Sequence, residues 1–278
     1  MESRQIPTKT LHDGAPVPVL GLGTAGYGSA FGGEYRQGDA LRAALQMGYR
    51  HIDTAEIYGG GRSEELVGAA IRGMPREELF IATKVHRAHL RHDDVLRAID
   101  GSLSRLQCDY VDLYLIHAPE PAIPLRETMD AMNELVERGK IRYIGISNFG
   151  VDQADEALSL TRSLIATNQV HYNLLVREPE RNGVLRWCQE HDVLLTAYSP
   201  LEKGRVPRDD TVIRLAGDLG VTPAQLALAW LIKKDHVITI VQSDNVEHLE
   251  ENLGALDVDI PEDMVAELEN LPAHRVRW

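Results

Sequence analysis

Short apolar runs alternate along the chain with segments of helical period. Runs at 17–22, 50–53, 79–84, 110–117, 141–147, 164–170, 193–198 and 237–241 predict eight strands. Several are apolar or β-branched at almost every position, as expected of a parallel sheet covered on both faces. Between them, Leu66, Val67, Ala70 and Ile71 share one helical face, and so do Val95, Ile99, Leu103 and Leu106. Leu125, Met129, Met132 and Val136 line a further one. Asp39 is expected to cap a helix that stops at Gly48, and Ser63 to cap the next. Strand and helix in this alternation predict an α/β fold, a closed (β/α)8 TIM barrel.

Two additions flank the barrel. The segments 9–12 and 16–18 bracket Asp13-Gly14, a pair that favours a tight turn, so an N-terminal β-hairpin is expected over the barrel floor. Extra C-terminal helices are predicted at 246–253 and 261–271, before a tail with Trp278 either folded over the pocket mouth or disordered. The 278 residues contain no Pro/Gly/Ser-rich linker, and 1–278 reads as a single domain.

Charge and cysteine content narrow the partners. Lysine and arginine number 29 against 42 acidic residues, a formal charge of −13. That excess repels phosphate backbones and acidic lipid, so neither nucleic acid nor a membrane surface is an expected partner. No apolar run approaches the ~20 residues needed to cross a bilayer, and the opening residues carry no basic-then-apolar leader. The two cysteines, Cys108 and Cys188, are too few for a disulfide framework. A cytoplasmic monomer acting on a small molecule is the expectation.

Gly21-Leu-Gly23-Thr-Ala-Gly26 matches the glycine pattern of dinucleotide-binding sheets, which requires a helix opening at the third glycine. The stretch after Gly26 carries more glycine and no helical period, so a Rossmann site is not expected. The segment reads instead as a loop at the end of the first barrel strand.

Barrel chemistry sits at the C-terminal ends of the strands. Those ends are Asp53, Lys84, His117, Ser147-Asn148, Gln169, Tyr198 and Gln242-Ser243. Apolar strands that each finish in a hydrogen-bonding or ionisable residue, on one rim, point to a site. Lys84 leaves an apolar strand, so burial would depress its pKa unless a carboxylate keeps it charged, and Asp53 is placed to do so. A charged Lys84 beside Tyr58 is expected to lower the tyrosine pKa from about 10. That suits proton exchange near neutral pH. His117 is a candidate hydrogen-bond donor to a substrate oxygen. The plainer alternative is a buried ion pair with a core histidine. His86, His89 and His92 recur every three residues, but no cysteine joins them and a metal site is not expected. Trp187 and Trp230 sit among apolar neighbours and read as core.

The segments DTAEIYG (53–59), IATKV (81–85), LYLIHAP (113–119), GISNF (145–149), NQVHYN (168–173) and YSPL (198–201) resemble the aldo-keto reductase family in order and spacing. HLEENL (248–253) extends the likeness to nearly the whole chain. The resemblance implies a barrel that binds a nicotinamide cofactor across its C-terminal rim and reversibly reduces aldehydes or ketones. It implies Tyr58 as proton donor, Lys84 as the residue that lowers its pKa, Asp53 as the partner of Lys84, and His117 as the orienter of the carbonyl. Ser147, Asn148 and Gln169 would hold the nicotinamide carboxamide, with Tyr198 stacked on the ring. Ser199, Pro200 and Leu201 would lie along the pyrophosphate, and Glu251 and Asn252 would hold the adenine. Gly23, Thr24, Asp53 and Ser243 are further implied cofactor contacts.

Two departures from the family pattern matter. Relatives that prefer NADPH often carry Lys and Arg where this chain has Gln242 and His248, neither of them a fixed cation for a 2′-phosphate. NADP(H) is the expected cofactor, with NAD(H) also admitted, and Lys203 and Arg205 are candidates to restore the charge. Some relatives carry tryptophan at the positions of Ala25, His86 and Ala118. With Tyr58 and His117 these residues define the expected substrate pocket, roomy enough for sugar-like, keto-ester or other bulky carbonyl compounds. Two rival functions stay open: a Schiff-base aldolase or lyase using Lys84, and a non-catalytic module that holds the cofactor as a redox sensor.

Overall fold

The computed structural model describes residues 3–29 and 33–273. Strands β1 (Thr8–Thr10) and β2 (Pro16–Pro18) pair antiparallel as the expected hairpin. Lys9 fixes it in place, its ammonium donating to the carbonyls of Ile232 (3.0 Å), Lys234 and Val237 (2.6 Å). Val237 opens the last barrel strand, so the hairpin sits against the N-terminal end of the barrel, opposite the rim that carries the polar strand ends.

The barrel strands are β3 (Leu20–Gly23), β4 (His51–Asp53), β5 (Phe80–Val85), β6 (Val111–Ile116), β7 (Ile141–Ser147), β8 (Ile165–His171), β9 (Leu194–Tyr198) and β10 (Val237–Val241). All pairings are parallel, and β10 closes the cylinder between β9 and β3. Every residue of β5 and β6 is buried, the reason those segments are apolar at most positions, with Thr83, Lys84 and Asp112 the buried exceptions. The expected strand at 17–22 divides in two. The hairpin strand ends at Pro18, and Val19 bends the chain into β3, so one apolar run serves two sheets.

Helices α1 (Glu34–Met47), α2 (Arg62–Ile71), α3 (His92–Leu106), α4 (Leu125–Glu137), α5 (Val151–Leu160), α6 (Glu178–Arg181), α7 (Val184–Glu190), α8 (Asp210–Leu219) and α9 (Pro223–Lys233) fill the crossovers. The C-terminal additions are α10 (Val246–Leu253) and α11 (Glu262–Glu269). Val67, Val95, Ile99, Leu106, Met129 and Met132 are buried as their spacing implied, and so are Trp187 and Trp230. Two capping expectations fail. Because α1 begins at Glu34, Asp39 lies inside it and binds Arg42 (2.6 Å). Ser63 is the second residue of α2, and its hydroxyl donates inward to Thr24 Oγ1 (2.7 Å). Among the described residues no single helix is long and apolar enough to cross a membrane; α8 and α9 qualify only as a pair, and they meet at 88°. Trp278 lies outside the described residues.

Candidate active site

Strand register gathers the polar ends at one level. Gly23 is opposite Asp53, Ser147 opposite Gln169, and His171 opposite Tyr198. A cavity of about 810 Å³ opens at this rim. Every residue that the sequence assigned to the cofactor lines it except Thr24 and Arg205, together with Ala25, Tyr58 and His117; of the two candidate cations Lys203 is on the wall and Arg205 is not. Thr24 is fully buried; its hydroxyl donates to the carbonyl of Asp53 (3.1 Å) and braces that strand end from the side away from the cavity.

His86 and Ala118 do not reach the cavity wall. The backbone N–H of His86 donates to Glu56 Oε1 (2.5 Å), and its ring accepts from the N–H of Ala88 (3.4 Å), which turns it into the loop. Of the three positions expected to widen the pocket, Ala25 alone faces it. Gly204, Pro207, Ala224, Ile240 and Val241 also line the cavity and were not foreseen, since small and apolar residues carry no chemical signature.

Lys84 is fully buried and stands apart from the cavity wall. Its ammonium donates to Asp53 Oδ1 (2.5 Å) and to the carbonyl of Thr54 (2.8 Å). It lies 5.2 Å from the centroid of the Tyr58 ring. Burial pulls the Lys84 pKa down, but the charges of Asp53 and Tyr58 and their hydrogen bonds outweigh it, and the net direction is upward. The ammonium therefore stays charged.

Tyr58 departs from expectation. Burial pushes its hydroxyl up and outweighs the downward pull of Lys84, so its pKa is raised rather than lowered. The ammonium acts in the expected direction, but the phenol also loses the water around it, and that loss is the larger effect. Tyr58 is followed by Gly59, Gly60 and Gly61, with φ of 58°, 64° and 95°. A Cβ on Gly59 would lie 2.7 Å from the carbonyl oxygen of Tyr27.

The edge of the His117 ring meets Tyr58 at 5.8 Å between centroids. Burial first, then the Lys84 charge, pushes the His117 pKa down to about 4, so the imidazole is neutral. Its Nδ1 is buried without a hydrogen-bond partner among the described residues.

One line of hydrogen bonds ties the rest together. Tyr198 Oη donates to Asn148 Oδ1 (3.0 Å), Asn148 Nδ2 to Ser147 Oγ (3.0 Å), and Ser147 Oγ to the carbonyl of Gln169 (2.8 Å). Gln169 Nε2 then donates to Asp53 Oδ2 (2.8 Å). Asn148 holds φ of +62°, a conformation that asparagine tolerates better than most residues. The β7–β8 register slips between Ile144 and Gly145, the kind of bulge that re-aims the side chains after it. Tyr198 lies flat on His171, at 5.3 Å and 13° between the rings. His171 in turn binds Glu202 (2.6 Å).

The three spaced histidines do not converge. His89 binds Glu56, while His92 is held by Asp93 and Glu134.

The family model described as the Aldo/keto reductase family matches residues 19–272. An aldo-keto reductase of Mycobacterium avium is 39% identical over 268 residues, covering 95% of this chain and 90% of the relative. The aldehyde reductase YPR1 of Saccharomyces cerevisiae is 35% identical, with 95% of this chain and 90% of the relative covered. The crystal structure of the thermostable aldo-keto reductase Tm1743, in complex with the inhibitor epalrestat, matches with a TM-score of 0.92 at 45% identity, over 96% of this chain and 100% of that one. An aldo/keto reductase of Klebsiella pneumoniae, in complex with NADP and acetate, matches with a TM-score of 0.88 at 38% identity, over 98% of each chain. A closed parallel barrel, a polar rim in the expected order and likeness along almost the full chain agree: this protein is an oxidoreductase of the aldo/keto reductase family.

Proposed function

We propose that this enzyme reversibly reduces aldehydes or ketones to alcohols, with NADPH as hydride donor and Tyr58 as proton donor. The observation that carries the reading is the setting of Tyr58. Its ring opens on the cavity, a buried and charged Lys84 stands on one side, and a neutral His117 on another.

The residues present fit a nicotinamide dinucleotide. A cavity of about 810 Å³ lies within the usual range of roughly 300–1,000 Å³ for such ligands. Tyr198, backed by His171, offers a flat face for a ring. Ser147, Asn148 and Gln169 offer the amide and hydroxyl groups that a carboxamide needs, and Ser199 to Leu201 run along the wall toward Gln242, Ser243, His248, Glu251 and Asn252. When bound, the reduced nicotinamide supplies hydride to the carbonyl carbon. Tyr58 gives its proton to the carbonyl oxygen, so charge on that oxygen does not build up. Lys84 stabilises the phenolate left behind, and because it is buried its field is little screened. Asp53 keeps Lys84 charged. His117, being neutral, carries one N–H with which to hold the carbonyl oxygen in line.

Aldo-keto reductases of Klebsiella pneumoniae hold NADP or NADPH, which supports the choice of cofactor. NAD(H) is also admitted here, because Gln242 and His248 offer no fixed cation to a 2′-phosphate. Ala25 presents a small side chain to the cavity and favours bulky carbonyl compounds, sugar-like or keto-ester.

The Schiff-base rival needs a neutral amine open to substrate. Lys84 is charged, fully buried and off the cavity wall, which argues against it. The experiment that tests the proposal follows loss of reduced-nicotinamide absorbance over a panel of carbonyls, with NADPH and NADH compared. Tight cofactor retention without turnover would replace it with the redox-sensor reading.

A further inference from the structure

We infer that Lys203 is the residue that neutralises phosphate in the cofactor site, a role that rests on the nicotinamide reading above. A dinucleotide carries a pyrophosphate, and its 2′-phosphorylated form adds further negative charge. The protein that must hold it has a net charge of −13, and Glu251 sits on the cavity wall. Such a ligand therefore needs a cation close by.

The described wall holds one fixed cation. Asp53 is committed to Lys84 and Gln169. His117 is held neutral by burial, and no other lysine or arginine is on the wall. Lys203 remains, exposed, on the wall, and with no ion pair or hydrogen bond to its ammonium among the described residues.

The loop that carries it is anchored at its base. Glu202 Oε2 accepts from Asn173 Nδ2 (2.8 Å) and binds His171, and Asn173 also donates to the carbonyl of Ser199 (2.9 Å). Glu202, Lys203 and Gly204 have φ of 47°, 53° and 83°, a tight left-handed bend that gathers Lys203 onto the wall shared with Ser199, Pro200 and Leu201. The backbone is fixed while the four-carbon stem stays free to reach a phosphoryl oxygen.

The test is direct binding. Wild type, Lys203→Gln and Lys203→Arg are titrated with NADPH and with NADH by calorimetry at low and moderate salt. Lys203→Gln is expected to weaken NADPH binding about fivefold at low salt, with a shallower salt dependence than wild type. Lys203→Arg is expected to retain most of the affinity. A loss confined to NADPH assigns the contact to the 2′-phosphate; an equal loss with NADH assigns it to the pyrophosphate. Equal affinity of wild type and Lys203→Gln for both cofactors overturns the inference and leaves the reductase reading standing. A wild type that binds neither cofactor overturns both.

Discussion

Gln169 donates from Nε2 to Oδ2 of Asp53 at 2.8 Å, which leaves Oδ1 of that carboxylate to the ammonium of Lys84. An amide from β8 thus sets the orientation of an acid on β4, and the acid sets the lysine on β5. The proposed proton donation by Tyr58 would depend on this cross-barrel alignment.

Removing the carboxylate charge strands a fully buried cation. Asp53→Asn is expected to cost about 3–5 kcal/mol of stability and most of the reductase activity. Denaturant unfolding of both proteins checks the first part, and steady-state rates the second. A variant as stable as wild type would show that Thr54 and solvent are enough to hold Lys84.

Tyr58→Phe keeps the ring and removes the proton. Reduction is expected to fall by about 10²-fold or more, with the dissociation constant for NADPH little changed. Binding and turnover measured on the same preparation separate the two effects. Full activity in this variant would take Tyr58 out of its role.

Lys84→Met removes the one charge that pulls the Tyr58 pKa down against burial. The phenol then becomes less acidic still. The pH profile of alcohol oxidation, which needs phenolate, is expected to move to higher pH, and the rate at neutral pH to drop. An unshifted profile would mean that another group governs the ionisation.

His117 has a folded-state pKa of about 4, below its ordinary 6.5, so folding disfavours the imidazolium. The contribution to stability is complete above pH 6.5 and is lost as the pH falls through about 4. Activity is expected to show no histidine titration between pH 6 and 7 and to decline only toward pH 4. His117→Gln should weaken that acid limb in unfolding experiments run across the same range.

Gly68 lies where α2 crosses α3, and a Cβ there would come within 2.6 Å of the carbonyl oxygen of Arg105 and 2.7 Å of that of Leu106. Backbone cannot step aside as a side chain does. Gly68→Ala is expected to lose about 1–3 kcal/mol, read as a lower denaturation midpoint.

The barrel was legible because its strands are buried on both faces and break the pattern at their ends. Strands 141–147 and 237–241 and the helix at 246–253 follow from periodicity alone. The start of α1 was not legible. It follows a glycine-rich stretch, and Gln37 in its first turns points its Oε1 at the N–H of Gly28 (2.8 Å) instead of marking a helical face. Ser63 looked like a cap because cap and buried hydroxyl share a residue type, and only the packing of Thr24 and Thr54 against it tells them apart. The polar strand ends do line one cavity, while the absence of His86 and Ala118 from it depends on how a loop turns, which strand order does not encode.

The run Gly59-Gly60-Gly61 winds against the handedness that other residues prefer, directly behind the phenol. The chain behind Tyr58 is thus fixed both by its handedness and by the close approach of Gly59 to the backbone of Tyr27 and Gly28. Remodelling the walls of the cavity should leave Tyr58 where it is, whereas a side chain on Gly59, which has no room for a Cβ, should displace the phenol from outside the pocket.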